Sequence, residues 1–218
     1  MQKFPLSIVI LGFLLLFIII VIQIEVFTMV LSKLGLSRSG ASLLLITTFL
    51  GSALNLPVTT IRSNFSYEPD NPLHRAVFPL RFTNGHTLIA VNVGGALVPI
   101  TFSVYLIITA SLPTYALLIS ILVISVVSYL FSRPVANLGI GMPIFVAPVM
   151  AALTAMLLLP DNAPALAYIS GSLGVVVGAD LLRIKDIKKL NAPVASIGGA
   201  GTFDGIFLTG IIAVILTF

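Results

Sequence analysis

The sequence predicts an all-α integral membrane protein of about seven transmembrane helices, with the N-terminus cytoplasmic and a short amphipathic β-hairpin on the cytoplasmic side. Three observations carry that prediction. First, 58% of the 218 residues are hydrophobic and only 8% charged, where soluble domains carry about 25% charged residues. Second, apolar runs close to the roughly 20 residues needed to cross a hydrocarbon layer of about 30 Å recur seven times. They fall near 5–30, 41–61, 92–112, 113–132, 139–159, 164–183 and 195–218. Third, with those spans, nine of the eleven Lys and Arg lie on the side of the N-terminus and only Lys33 and Arg38 on the other, a positive-inside bias that orients the chain.

The first run is too long for a signal-peptide core and lacks a small-residue cleavage site, so it is expected to stay attached. Residues 1–218 therefore read as one transmembrane domain in the plasma membrane, crossed several times, with membrane lipid as its constant partner. The formal charge of +4 follows from topology and does not indicate nucleic acid. With no Cys and two scattered His, disulfides and thiolate metal sites are excluded and neither metal nor cofactor is expected.

The long polar connection, residues 62–91, reads as a cytoplasmic surface loop. Its second half, AVFPLRFTNGHTLIAV, alternates around an Asn-Gly pair suited to a two-residue turn. Placing Asn84 and Gly85 in the turn pairs Phe82 with Thr87, Leu80 with Ile89 and Phe78 with Val91. Arg81, Thr83 and His86 occupy the opposite face. Such a hairpin either caps the helix ends or offers an edge to an extended peptide.

Small residues and Pro gather where spans begin or end: NVGGALVP at 92–99, GIGMP at 139–143, GSLGVVVGAD at 171–180 and GGAGTFDG at 198–205. Gly174 and Gly178, four apart, fit close helix packing. Four clusters toward one end of the bundle also fit helices interrupted where backbone lines a cavity.

Of the seven acids, Glu68, Asp70, Asp161 and Asp186 are expected in loops, and Glu25 at the outer end of the first helix. Asp180 and Asp204 differ. Counting inward from the outer ends of their spans at 1.5 Å per residue puts them about 24 and 21 Å deep, at closely similar levels. The short loop RIKDIKKLNAP joins the two spans, so the helices are expected to be neighbours. An acid at such depth is a functional-site hypothesis by default. Two adjacent carboxyls tend to share one proton, so one can activate water while the other donates to a carbonyl. The poor helix formers at 198–201 leave room for water beside Asp204.

The segments VGADLLRI and GGAGTFDGIFLTG resemble the two active-site segments of the GxGD aspartyl proteases of membranes, the class of presenilin, signal peptide peptidase and the prepilin peptidases. The resemblance implies peptide-bond hydrolysis near the cytoplasmic face, with Asp180 and Asp204 as the catalytic acids and a membrane-embedded or membrane-proximal peptide as substrate. Gly178, Gly199, Gly201, Thr202 and Gly205 would shape the site. Gly95, Ala96 and Leu97, with Arg81 and His86 of the hairpin, would contact substrate. Two residues, Thr202 and Phe203, separate the Gly-Ala-Gly run from its acid, and Ala179 stands where Tyr often precedes the first Asp. Taken whole, the chain also resembles an uncharacterised prokaryotic family of small multi-pass membrane proteins, of the domain-of-unknown-function kind, through AVNVGGALVP and GGAGTFDGIFLTG.

Two other functions use the same residues differently. A proton- or cation-coupled transporter or channel would employ both acids and interrupted helices. A structural protein would spend the carboxylates on backbone N–H groups, as Asp204 would do for amides freed by the glycines.

Overall fold

The structure is a computed structural model that describes residues 6–64, 85–135, 139–190, 192–199 and 205–218. It divides into two compact units, Met1–Ile46 and Thr47–Phe218.

In the first unit, α1 (Leu6–Lys33) is an uninterrupted apolar helix. Gly35, at φ +85°, turns the chain, and α2 (Arg38–Gly51) follows. Glu25 accepts both hydrogen bonds from Arg38 Nη2, at 2.8 and 2.9 Å, so its carboxylate is paired across the turn rather than merely solvated. Both side chains stay more than half exposed, which keeps the contribution of the pair to about 1 kcal/mol or less.

In the second unit, the chain leaves α2 at Gly51 and enters strand β1 (Asn55–Arg62). Pro57 removes an amide that a helix would need, and the run Val58-Thr59-Thr60-Ile61 is β-branched. The expected second span at 41–61 is therefore a 14-residue helix followed by a strand. Strand β2 (His86–Asn92) begins after Gly85, whose φ of +79° marks the expected turn position.

The partner of β2 differs from the expected one. It pairs antiparallel with β1, Arg62 opposite His86 and Asn55 opposite Asn92. On its other edge it pairs in parallel with β5 (Val194–Ile197). Ile89 is thus bound between Thr59 and Ala195, so both described neighbours of this strand come from outside residues 78–83. Residues 78–83 lie outside the described residues. Under the sheet, Ile89, Ile187 and Leu190 form a small core with Ile61, Ile184, Ala195 and Ile197 around it. A 3-10 helix, Ile184–Lys189, supplies part of it.

After β2 a π-helical turn, Val93–Leu97, leads into α3 (Val98–Thr109). Then come α4 (Thr114–Phe131), the short antiparallel pair β3 (Arg133–Val135) and β4 (Gly139–Gly141), and α5 (Val146–Leu158). The glycines of GIGMP are extended, which delays this helix relative to the predicted 139–159 span. Helix α6 (Ala163–Val175) runs on into a second π-helical segment, Val176–Leu181, and α7 (Gly205–Ile215) closes the chain.

Helix α6 is central, packed by α3, α4, α5 and α7, and Leu166, Tyr168, Ile169, Ser170 and Ser172 on it are wholly buried. A helix buried on all sides must meet its neighbours through small residues. A Cβ on Gly174 would lie 2.6 Å from the Cβ of Ile124 on α4, and one on Gly178 would overlap the Ser125 carbonyl oxygen. Their packing role is therefore direct.

Seven α-helices among the described residues overlap the seven predicted segments, but the prediction of an all-α bundle of seven spans is corrected twice. The described residues include five strands in two sheets. Among the described residues only three helical stretches, Phe13–Lys33, Thr114–Phe131 and Pro160–Leu181, are long and apolar enough to cross a membrane, and the other apolar helices are shorter. Glycine, proline and β-branched runs at the segment ends turned predicted helix into strand or turn.

Candidate functional site

Asp180 lies on the second π-helical segment, half-buried. The widened turn is closed by the bond from the Leu182 amide to the Val177 carbonyl, 2.9 Å, a five-residue step of the kind often found at functional sites. Its direction follows from its neighbours. Gly178 faces α4, and two residues further on a helix is about half a turn away, so Asp180 points away from α4. The same reasoning applied to Gly174, which also faces α4, puts Ser172 on the side opposite α4. There it meets α7: a Cβ on Gly210 would lie 2.6 Å from Ser172 Oγ. By helical spacing Ser172 and Asp180 fall on one side of the segment, the side that at Ser172 meets α7.

The level of α7 along that side is set by contacts. Gly171 lies beside Thr209, and Ser172 beside Gly210. Gly205 opens α7, four and five residues before these two contacts. Asp204 precedes Gly205 in the chain. Asp204, Gly201 and Thr202 lie outside the described residues, as does Arg81.

Arg183, one turn beyond Asp180, is committed elsewhere. Its Nη2 donates to the carbonyls of Tyr129 (2.7 Å) and Ser132 (2.8 Å), its Nε to Ser132 Oγ at 3.2 Å, and its Nη1 to Asp186 at 3.1 Å. The guanidinium also stacks 4.3 Å from the Tyr129 ring centre. It caps the C-terminus of α4, where orphan carbonyls and the helix dipole favour a cation.

The other predicted contributors divide into two places. Gly198 and Gly199 follow β5 with φ of +83° and +81°, a conformation that only glycine adopts freely. The turn they make brings Gly198 onto the first π-turn: a Cβ on Gly95 would overlap the Gly198 carbonyl oxygen, and one on Gly198 would lie 2.6 Å from that of Ala96. Gly95 and Ala96 therefore adjoin the stretch that leads to α7, while Leu97 is turned outward, 40% exposed. His86 sits at the opposite end of β2, paired across the sheet with Arg62. Six residues of strand, about 20 Å at 3.3 Å each, separate it from Asn92, so it does not join the Gly95 cluster. Gly205 has open space where its Cβ would be.

Asn92 organises this junction and escaped the sequence reading. Its wholly buried side chain donates to the Ser52 carbonyl (2.7 Å) and to Asn55 Oδ1 (3.1 Å), and accepts from the Gly95 amide at 2.7 Å. Ser196 on β5 donates to the same Asn55 oxygen. One amide thereby ties the turn at Ser52, β1 and the π-turn together, and β5 joins through Asn55. The signal available was a polar residue immediately before a Gly-Gly pair in an apolar run, the pattern of an N-cap. Among the described residues, no group of three or more His, Asp or Glu lies close enough to hold a metal ion.

A sequence model for the family described as Protein of unknown function (DUF1614) matches residues 49–216. The chain belongs to the DUF1614 family. Comparisons with curated proteins and with solved structures find no match. The DUF1614 match nearly coincides with the second compact unit, Thr47–Phe218, and so takes in both π-helical segments, the three-stranded sheet and the α6–α7 pair. Helix α1 lies outside it.

Proposed function

We propose that this DUF1614 protein is an intramembrane aspartyl protease of the GxGD-like type, hydrolysing membrane-embedded or membrane-proximal peptides near the cytoplasmic face of the plasma membrane. What supports the reading is the close α6–α7 contact at Gly171, Ser172, Thr209 and Gly210: with the two helices antiparallel, as consecutive spans would be, Asp180 falls on the α7 side of α6 about 4.5 Å beyond the level of Gly205, and Asp204 is the residue before Gly205 in the sequence. In this reading the two carboxyls hold one proton between them. The ionised one takes a proton from water as it attacks the scissile carbonyl while the protonated one donates to the carbonyl oxygen; the first then passes its new proton to the leaving amine as the second regains one from a hydroxyl of the tetrahedral intermediate, which restores the shared proton.

The paired glycines at 198 and 199 and the π-turn at Gly95 and Ala96 supply irregular backbone beside the entry to α7. Irregular backbone at membrane depth belongs where protein or water satisfies it. The multi-pass topology with a cytoplasmic N-terminus rests on the distribution of Lys and Arg. It is supported by the meeting of Arg183 with the α4 end that leads to Arg133, which gathers basic residues at one end of the bundle.

The test is cleavage of transmembrane peptides by the purified protein in lipid, comparing wild type with Asp180→Asn and Asp204→Asn. Both substitutions should abolish cleavage while leaving the unfolding temperature within a few degrees. Cleavage that survives both removes the acids from the mechanism. The two π-helical interruptions also favour a second reading, a proton- or cation-coupled transporter. pH-dependent flux into liposomes, lost in the same variants without any proteolysis, would establish that reading instead.

A further inference from the structure

Two of the helical stretches long and apolar enough to cross a membrane, Thr114–Phe131 and Pro160–Leu181, end at one level. Arg183, just past the second, donates to the Tyr129 and Ser132 carbonyls at the end of the first. The residues that follow these two ends therefore stand where a hydrocarbon layer gives way to lipid headgroups. They form β3 and the 3-10 helix Ile184–Lys189, which adjoin each other.

At this level a cavity of about 430 Å³ opens beside the end of α4. Leu130 and Phe131 of α4, Arg133 and Val135 of β3, and Met142 and Pro143 after β4 border it. That volume lies within the range of sites for small molecules, roughly 300–1,000 Å³. Among the described residues, Arg133 is the one charged group on its wall, and the other bordering side chains are apolar. Arg133 is exposed, and no described carboxylate pairs with it. On the adjoining 3-10 helix, Ile184 and Ile187 pack into the small core under the sheet. Residues three apart eclipse in a helix of this type, so Lys185 and Lys188 share another face, where both are exposed. The acid of this helix, Asp186, is bonded to Arg183.

An apolar cup with a guanidinium on its wall, beside a pair of ammonium groups, matches a molecule that is apolar at one end and anionic at the other. A free phosphate would leave the apolar walls in water, and a zwitterionic lipid would leave the lysines without counter-charge. We propose that this is a binding site for an anionic glycerophospholipid of the leaflet at this end of the bundle. The phosphate takes two parallel hydrogen bonds from Arg133, the headgroup lies toward Lys185 and Lys188, and part of an acyl chain rests on Leu130, Phe131 and Met142. Bound there, the lipid ties the ends of α4 and α6 to the membrane surface. The site uses neither Asp180 nor Asp204, so it stands or falls separately from the proteolytic reading.

The experiment places the full-length protein in phosphatidylcholine vesicles containing a trace of either phosphatidylglycerol or phosphatidylcholine with a photoactivatable diazirine on one acyl chain. After illumination, labelled residues are mapped by peptide mass spectrometry. The phosphatidylglycerol probe is expected to label residues 130–143 at least about fivefold more than the phosphatidylcholine probe, the factor that one basic residue near a membrane surface contributes. Arg133→Gln should remove that excess, and Lys185→Gln with Lys188→Gln should reduce it by about half or more. Unlabelled phosphatidylglycerol should compete, and inorganic phosphate should not. Equal labelling by the two probes, or an excess that survives Arg133→Gln, overturns the proposal. Competition by inorganic phosphate as strong as by the lipid also overturns it, because the site would then take a free anion. If Arg133→Gln does not fold, the lysine pair decides, and an undiminished excess in that variant overturns the proposal.

Discussion

Replacing Asn92 by Ala tests whether the junction between sheet and bundle is built on one side chain. The amide is fully buried and its three hydrogen bonds join segments far apart in sequence. Truncation strands two backbone groups, the Ser52 carbonyl and the Gly95 amide. Asn55 is exposed and recovers its bond from water. At about 1–3 kcal/mol for each buried group left unpaired, the expected loss is about 2–6 kcal/mol. For a chain of this size that is a fall in unfolding temperature of at least about 4 °C. The assay is thermal unfolding in lipid nanodiscs, followed by circular dichroism, with Thr101→Ala on an exposed face of α3 as control. Asn92→Asp sharpens the test. The carboxylate still accepts from Gly95 but faces the Ser52 and Asn55 oxygens without a proton to donate, so it is expected to be no better than Ala at neutral pH and to recover on acidification. An Asn92→Ala protein that melts with the control would refute the reasoning, because buried groups stranded at that site cannot be free of cost.

Two further substitutions separate packing from site. Gly178→Ala drives a methyl into the Ser125 carbonyl and should cost about 1–3 kcal/mol as α4 and α6 move apart, whereas Gly205→Ala meets open space and should change stability by less than about 1 kcal/mol. Equal unfolding temperatures for the two would show that the α4–α6 contact is not tight. Arg183→Lys keeps the charge but loses the planar fork that spans Tyr129, Ser132 and Asp186. The expected loss is about 1–2 kcal/mol, read as faster amide exchange in the last turn of α4, and unchanged exchange there would contradict the capping role.

Much of the chain is legible because apolar periodicity acts locally. The positions of the seven helices, the breaks at Gly-rich segments, the turn at Gly85 and the closeness of Gly174 and Gly178 to a neighbour all follow from residue type along a short stretch. The neighbours of the strand at 86–92 were not legible, for the opposite reason. The alternation that marks residues 86–92 as a strand does not say which strand it joins, and the chosen partner, β1, was hidden inside a run apolar enough to be taken for a span. Glu25 likewise found Arg38 only because the turn at Gly35 folds the two helices past each other.

What the sequence determined by itself is the apolar character of the chain, the places where helix must stop, and the two acids at the ends of consecutive segments. Only the tertiary structure decided that His86–Asn92 lies between β1 and β5, that Asn92 ties four segments together, and that Gly174 and Gly178 are turned toward α4. Local propensity depends on a few neighbouring residues, whereas strand pairing, a buried amide's partners and the facing of a helix depend on which distant surfaces bury each other. Residues 86–92 and 194–197 are adjacent only because Ile89, Ile187 and Leu190 leave water together.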